Sequence, residues 1–114
     1  MSGIREVNIK EDMPTVNEAV RRLQDLVPLS KAEGYKVLKI IHGYGSTGQG
    51  GAIGQAVRRR CQDYKAKGKV HGVIPGENLS IFDADTRKAL QSCPELKKDP
   101  AFEQYNRGIT FIIL

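Results

Sequence analysis

Residues 37 to 54 read Val-Leu-Lys-Ile-Ile-His-Gly-Tyr-Gly-Ser-Thr-Gly-Gln-Gly-Gly-Ala-Ile-Gly, and they carry the strongest structural signal in the chain. The apolar run at 37–41 predicts a buried strand, which ends at His42. A glycine-rich loop follows, and a basic amphipathic helix begins directly after it. A strand that leads through such a loop into a helix gathers backbone N–H groups at one point, which favours an anion such as phosphate.

The segments on either side of this stretch predict the other elements of the fold. Alternating or continuous apolar runs predict strands at 4–9, 35–41, 70–74 and 109–114. Apolar residues at helical spacing predict one helix that begins at Thr15 and that Pro28 kinks or ends. They predict a second helix that begins near Ala52 and stops near Gly68. The last strand has few polar breaks, so it is expected to be central in the sheet.

The order of these elements favours an α/β fold, a two-layer sandwich with β-α-β-α-β-β order. Right-handed crossovers would place both main helices on one face of a small mixed four-stranded sheet. The polar segment 76–107, which Pro94 and Pro100 interrupt, is expected to be an excursion inserted before the last strand. Asp83 or Asp85 is expected to cap a short helix within this segment, an explanation favoured over a metal site.

Size and composition indicate one domain, residues 1–114, in a cytoplasmic protein. No apolar run is long enough for a membrane span, and the N-terminal residues lack the pattern of a secretory signal. Cys61 and Cys93 are therefore interpreted as reduced thiols, and two cysteines do not make a zinc site. The net charge is +5, from 18 Lys and Arg against 13 Asp and Glu, which favours a polyanionic partner.

The glycine-rich loop fits two nucleotide-binding motifs only in part. Residues 43–48 fit the G-x-G-x-x-G pattern of dinucleotide-binding folds, but no acidic residue ends the next predicted strand to bind a ribose. Gln49 stands where a Walker A loop requires lysine. Neither nucleotide-binding motif is therefore favoured.

The pattern His-Gly-x-Gly-x-x-Gly between this strand and this helix resembles the Smr (small MutS-related) domain family. The resemblance includes Ala56-Val57-Arg58 in the following helix and the closing strand 108–114. It implies a sandwich like the C-terminal domain of bacterial translation initiation factor three, and it makes 76–107 an insertion atypical of the family. Members of the family bind DNA or RNA, and several are described as nicking endonucleases.

The first strand departs from the family pattern. The family usually carries Leu-Asp-x-His there, whereas this chain has Val7-Asn8-Ile9-Lys10. Asn8 cannot act as a base, while Lys10 can neutralise a phosphate. Glu11 and Asp12 follow, either as substitutes for the lost carboxylate or, as we favour, as solvated turn residues. Enzymatic activity is thus left open; a nuclease would use Mg²⁺ or Mn²⁺, and otherwise no cofactor is expected.

Individual side chains at the loop have alternative roles. His42 is the candidate catalytic residue and a phosphate contact, or it is a structural histidine whose ring bonds a loop carbonyl. Tyr44 is expected either to stack on a base of the nucleic acid or to stabilise the turn by packing on it. His71 is expected to be packed inside the third strand. The predicted nucleic-acid or phosphate-binding residues are Lys10, His42, Gly43, Tyr44, Gly45, Gly48, Arg58, Arg59 and Lys65.

Three functions follow from these observations. The favoured one is a nucleic-acid-binding domain that contacts phosphates through the loop and the basic helix. The second is an endonuclease with an altered site that uses His42 and Glu11 or Asp12. The third is a protein-interaction module whose docking surface is the segment 76–107. The choice between DNA and RNA, the pathway and the oligomeric state do not follow from the sequence.

Overall fold

A four-stranded mixed sheet is the centre of the computed structural model, which describes residues 3–44 and 49–114. Its strands, in the spatial order β1-β2-β4-β3, are β1 (Ile4–Asn8), β2 (Val37–Ile41), β4 (Ile109–Ile113) and β3 (Gly72–Pro75). β1 and β2 are parallel, and β4 is antiparallel to both of its neighbours. The mixed sheet and the central last strand are therefore confirmed. We call the edge where β1, β2 and β3 end and β4 begins the carboxyl edge.

Two long helices, α1 (Val16–Ala32) and α2 (Gln49–Ala66), cover one face of the sheet. α1 begins with the predicted capping box, in which Thr15 Oγ1 accepts from Glu18 N at 3.1 Å and Glu18 Oε1 accepts from Thr15 N at 3.0 Å. The buried side chains of both helices pack on alternate residues of the central strands, and this confirms the predicted α/β sandwich. The cluster includes Ala19, Leu23, Val27, Leu38, Ile40, Ile53, Val57, Cys61 and Ile112.

Pro28 does not end the first helix, so that alternative was wrong. Proline has no N–H to donate to the carbonyl of Gln24, four residues earlier. Both residues are exposed, so water can bond that carbonyl and the helix continues to Ala32. The chain then turns at Gly34, whose φ of +88° is left-handed.

The segment 76–107 covers the other face of the sheet. It contains short 3₁₀ turns at Gly76–Asn78 and Pro94–Lys98 and the helix α3 (Ala84–Ser92). Asp83 caps this helix, since its Oδ2 accepts from Thr86 N at 2.9 Å, which confirms the predicted capping role. Apolar side chains of the segment are buried on the sheet in a second cluster, which includes Leu79, Ala89, Leu96, Ala101, Val37 and Phe111.

A buried ion pair fixes the segment 76–107 to this second face. Lys39 of β2 is only 5% exposed, and its Nζ lies 3.0 Å from Asp99 Oδ1 and 2.9 Å from Glu6 Oε1. Burial alone would lower the pKa of Lys39, but the bonds to Glu6 and Asp99 outweigh it and raise that pKa. The ammonium therefore stays charged, and removal of Asp99 would leave a buried charge with one partner fewer.

The two cysteines are free, as the sequence indicated, and both are buried. Burial raises the pKa of Cys61 to about 12 and that of Cys93 to about 11, so both thiols are protonated at neutral pH and poorly nucleophilic. Among the helices in the described ranges, none combines the length and the apolarity that a membrane crossing requires.

Candidate functional site

The carboxyl edge brings Lys10 onto the loop that follows β2. Ile9 N donates to Ile41 O at 3.0 Å, which extends the β1–β2 pairing up to Lys10. Gly43 has a φ of +72°, and a Cβ atom there would lie 2.6 Å from Lys10 Nζ. The ammonium group thus rests directly on the Gly43 backbone, where a larger residue would displace it. The structure therefore places the side chain of Lys10 next to His42 and its loop.

Asn8 fixes the turn that carries Lys10. Its Oδ1 accepts a hydrogen bond from Lys10 N at 3.0 Å, a local turn that Asn side chains commonly form. The family pattern indicated only the loss of a carboxylate at Asn8, although an Asn two residues before a turn N–H is a signal for this bond. Glu11 and Asp12 are exposed in the same turn, in agreement with the solvated alternative.

His42 lies inside a closed set of hydrogen bonds. The residue is 1% exposed, its Nδ1 lies 2.7 Å from Gly43 O, and its Nε2 lies 2.8 Å from Thr110 Oγ1. Because a carbonyl can only accept, Nδ1 carries the proton, and in the neutral ring Nε2 accepts from the Thr110 hydroxyl. This is the structural alternative, in which the ring bonds a loop carbonyl.

The surroundings of His42 keep its ring neutral. Burial lowers the pKa of His42, the bond to the Gly43 carbonyl opposes this, and the nearby Arg58 charge lowers the pKa further. A neutral ring with both nitrogens engaged offers a phosphate neither charge nor a free N–H. The geometry thus gives His42 the role of a positioning residue and does not favour the predicted catalytic or phosphate contact.

Arg58 connects α2 to the carboxyl edge. Its Nη1 and Nη2 donate to the two oxygens of Glu77 at 2.8 and 2.6 Å, and its Nε donates to Thr110 Oγ1 at 3.1 Å. Nη2 also donates to the carbonyls of Arg107 and Ile109. Burial alone would raise the pKa of Glu77, but the bonds from Arg58 outweigh it and lower that pKa. These bonds favour a structural role for Arg58 over the predicted phosphate contact.

The other two basic residues predicted on α2 lie in different places. Arg59 is exposed and makes no ion pair within the described part of the chain. Lys65 lies about three helical turns beyond Gly54, with its Nζ 3.9 Å from Asp85 Oδ2 at the edge of the segment 76–107. The structure therefore separates Lys65 from the loop.

Gly54 allows α2 to approach the loop closely. A Cβ atom at this position would lie 2.6 Å from Gly43 O and 2.9 Å from His42 Nδ1. Contacts this short would force the helix or the loop to move. No role for Gly54 was predicted from the sequence, because only the packed structure shows which glycine of the helix faces the loop.

Arg107 and Tyr44 lie in the two loops at the carboxyl edge, Tyr44 just after β2 and Arg107 just before β4. The backbone N–H groups of His42 and Gly43 both donate to Gly108 O, at 2.8 and 2.9 Å. A Cβ atom on Gly108 would lie 3.4 Å from Tyr44 Cδ1, so the ring of Tyr44 covers Gly108. Tyr44 is 65% exposed and Arg107 is exposed. Arg107 was not predicted from the sequence, although a residue just before a central last strand is expected near the loop that follows the adjacent antiparallel strand.

Three further predictions concern the glycine loop, His71 and a metal site. Gly45 and Gly48, predicted to contact phosphate, lie outside the described residues. His71 is exposed and precedes β3, so its predicted packing inside the strand was wrong; the strand begins one residue later, at Gly72. In the described ranges, no three side chains of His, Cys, Asp and Glu come together in a group that could hold a metal ion.

Solved structures provide an independent comparison of the fold. The crystal structure of the Smr domain of Thermus thermophilus MutS2 matches 96% of this chain and 96% of its own, with a TM-score of 0.58 and 23% sequence identity. The protein folds as an Smr-like domain. No family model and no curated protein matches the sequence significantly, so the likeness is one of fold. The placement of His42 and Gly43 between β2 and α2 predicted this Smr-like fold.

Proposed function

We propose that this Smr-like domain binds nucleic acid through its phosphates at the carboxyl edge. The observation that carries the proposal is the Lys10 ammonium seated on Gly43, with the exposed residues Tyr44 and Arg107 in the loops of the same edge. Neither cation forms a salt bridge with a described residue, so both can contact an anion. Arg107 also lies near Glu77: burial alone would raise the pKa of that carboxyl, but the bonds from Arg58 and, further, the Arg107 charge lower it. Contacts of this kind position a strand without reading its sequence.

The charge of the whole chain supports the same proposal. A net charge of +5 attracts a polyanion, and Arg59 extends the positive surface along the outer face of α2. His42, Arg58 and Glu77 would then act by holding the loop and β4 in place, while Lys10 and Arg107 make the contacts. Binding carried by such charges depends steeply on salt, because each neutralised phosphate releases counterions.

We propose binding without strand cleavage. Hydrolysis of a phosphodiester needs a group that activates water, and His42 has both ring nitrogens engaged in a buried position. The carboxylate of the family pattern is replaced by Asn8, whose Oδ1 is bonded to Lys10 N. Supercoiled plasmid and structured RNA should therefore remain intact with Mg²⁺ or Mn²⁺; nicking that His42→Ala abolishes would contradict this part of the proposal.

The test is the salt dependence of binding in charge-neutralised variants. Lys10→Gln and Arg107→Gln should each weaken binding of labelled DNA or RNA, and each should reduce the slope of log K against log salt by about 1. The matched control is Lys67→Gln, which removes the same charge from an exposed position about 20 Å along α2 from Gly54. The control should bind with unchanged affinity and slope.

Two results would overturn the proposal. If Lys10→Gln and Arg107→Gln both bind like the unmodified protein, the phosphates contact another surface. If the unmodified protein retains neither DNA nor RNA at low salt, the segment 76–107 as a protein-docking surface becomes the better hypothesis.

A further inference from the structure

Two exposed aromatic side chains flank the start of β4. Tyr44 is 65% exposed and Tyr105 is 75% exposed, whereas most tyrosine rings bury much of their surface. Tyr44 follows β2 and covers Gly108, the residue before β4. Tyr105 precedes the turn in which Asn106 Oδ1 accepts from Gly108 N at 2.8 Å. Both rings therefore stand in the loops of the carboxyl edge.

The backbone around Tyr105 is held in an unfavourable conformation. Tyr105 has a φ of +54° and Glu103 a φ of +62°, values that residues with a side chain rarely adopt. The segment is nevertheless anchored, since Glu103 N donates to Leu79 O at 2.8 Å. An exposed aromatic residue on strained backbone adds little to folding stability, and such strain is common where a residue serves a ligand.

Two cations, Lys10 and Arg107, lie in the loops of the same edge as these rings. Lys10 follows β1, Tyr44 follows β2, and Tyr105 and Arg107 precede β4. These four residues therefore form a row across three neighbouring strands. Neighbouring strands are about 4.8 Å apart, so the row across β1, β2 and β4 extends over roughly 10 Å. A nucleic-acid strand presents charged phosphates and flat bases along its length. The carboxyl edge presents the groups that bind them, cations and aromatic rings.

We infer that Tyr44 and Tyr105 form a stacking surface for unpaired bases, and that the nucleic acid bound at the carboxyl edge is single-stranded. The inference rests on the proposed function and names its ligand class. Bases in a duplex are already stacked and paired, so their faces cannot reach a protein ring, whereas every unpaired base offers a face to an aromatic side chain. Stacking tolerates all bases, so little sequence preference is expected.

The test compares a short single strand with a duplex of equal length. The probes are labelled oligothymidylate and oligouridylate, and the proteins are the full chain with Tyr44→Ala or Tyr105→Ala. Each alanine variant should lose about 5- to 150-fold in affinity for the single strands, the range expected for loss of one base–aromatic stack. Tyr44→Phe and Tyr105→Phe keep the ring and should bind nearly normally. Phe82→Ala, which removes an 84% exposed aromatic in the turn before α3, is the matched control and should change nothing.

The outcomes separate this inference from the proposed function. Equal affinity for duplex and single strand, or alanine variants that bind like the unmodified protein, would overturn the stacking surface. If the same variants bind normally while Lys10→Gln and Arg107→Gln bind weakly, phosphate binding stands and only the inference fails. If the protein binds no nucleic acid at all, both are overturned.

Discussion

His42 stands at the tip of β2, where a sequence pattern alone favours contact with a ligand. In the structure its partners are Gly43, the next residue, and Thr110, which lies 68 residues further along the chain. The sequence could give the position of the ring, because an apolar run followed by glycines marks the strand end. It could not give the bond to Thr110, because that bond depends on the pairing of β2 with β4.

We expect the imidazole of His42 to titrate below the usual histidine pKa of about 6.5. Burial lowers its pKa in the folded state, so the unfolded chain binds more protons just below pH 6.5. The contribution of His42 to the free energy of unfolding is therefore complete above pH 6.5 and is lost as the pH falls through its folded-state pKa. The measurement is an NMR titration of the ring in His71→Gln, which leaves His42 as the sole histidine.

A midpoint at or above 6.5 would contradict the buried, neutral ring. Denaturant unfolding of the same variant provides a second readout. Its free energy of unfolding should fall between pH 6.5 and the NMR midpoint. If it stays constant across that interval, His42 is not protonated more readily in the unfolded chain.

At the scale of elements, α2 is positioned by its close approach to the loop at Gly54. An ordinary Gly→Ala change inside a helix stabilises by about 1 kcal/mol. At Gly54 the new Cβ would meet Gly43 O at 2.6 Å, so the helix or the loop must shift. We expect Gly54→Ala to destabilise the protein by about 1–3 kcal/mol, as overpacking does, measured by urea unfolding.

The control for this change is Gln62→Ala, at an exposed position of the same helix. It should alter the free energy of unfolding by no more than about 0.5 kcal/mol. A Gly54→Ala variant that is more stable than the unmodified protein would show that helix propensity outweighs the clash. It would then contradict the close packing of α2 on the loop.

Periodicity predicted the strands and helices well, because burial on one face imposes it directly. The capping box at Thr15 and the cap at Asp83 were predictable for the same local reason, since their partners lie three residues away. The predictions that Pro28 could end α1 and that His71 is packed in β3 were wrong, because the structure around each residue decides its role and the residue type alone does not. Exposure leaves the carbonyl near Pro28 to water, and β3 begins one residue after His71.

At the scale of the whole molecule, the order of elements predicted the sandwich but not the place of the segment 76–107. Its composition is polar and interrupted by prolines, which suggested an excursion, yet it buries apolar side chains on the second face of the sheet. The pair Lys39–Asp99 that fixes it joins residues 60 positions apart, and no local pattern reports such a partner. That the segment is an insertion atypical of the family stays a prediction.

Long-range contacts also place the basic side chains differently from the grouping that the sequence predicted. Sequence proximity grouped Arg58 and Lys65 with the loop, but Glu77 engages Arg58 and Asp85 lies near Lys65. The fold instead places Lys10 and Arg107, from the two ends of the chain, at the same edge of the sheet. Their shared edge depends on β1 pairing parallel and β4 pairing antiparallel with β2, an arrangement that the sequence did not determine.

The most direct test is to map where nucleic acid touches the protein. Backbone amide signals would be followed by NMR while a short oligothymidylate is added to the isotope-labelled chain. We expect the signals of Lys10, His42, Gly43, Tyr44 and Arg107 to shift in one saturable process that high salt reverses. Shifts confined to 76–98, or none at oligonucleotide concentrations that saturate binding in a retention assay, would contradict an interface at the carboxyl edge.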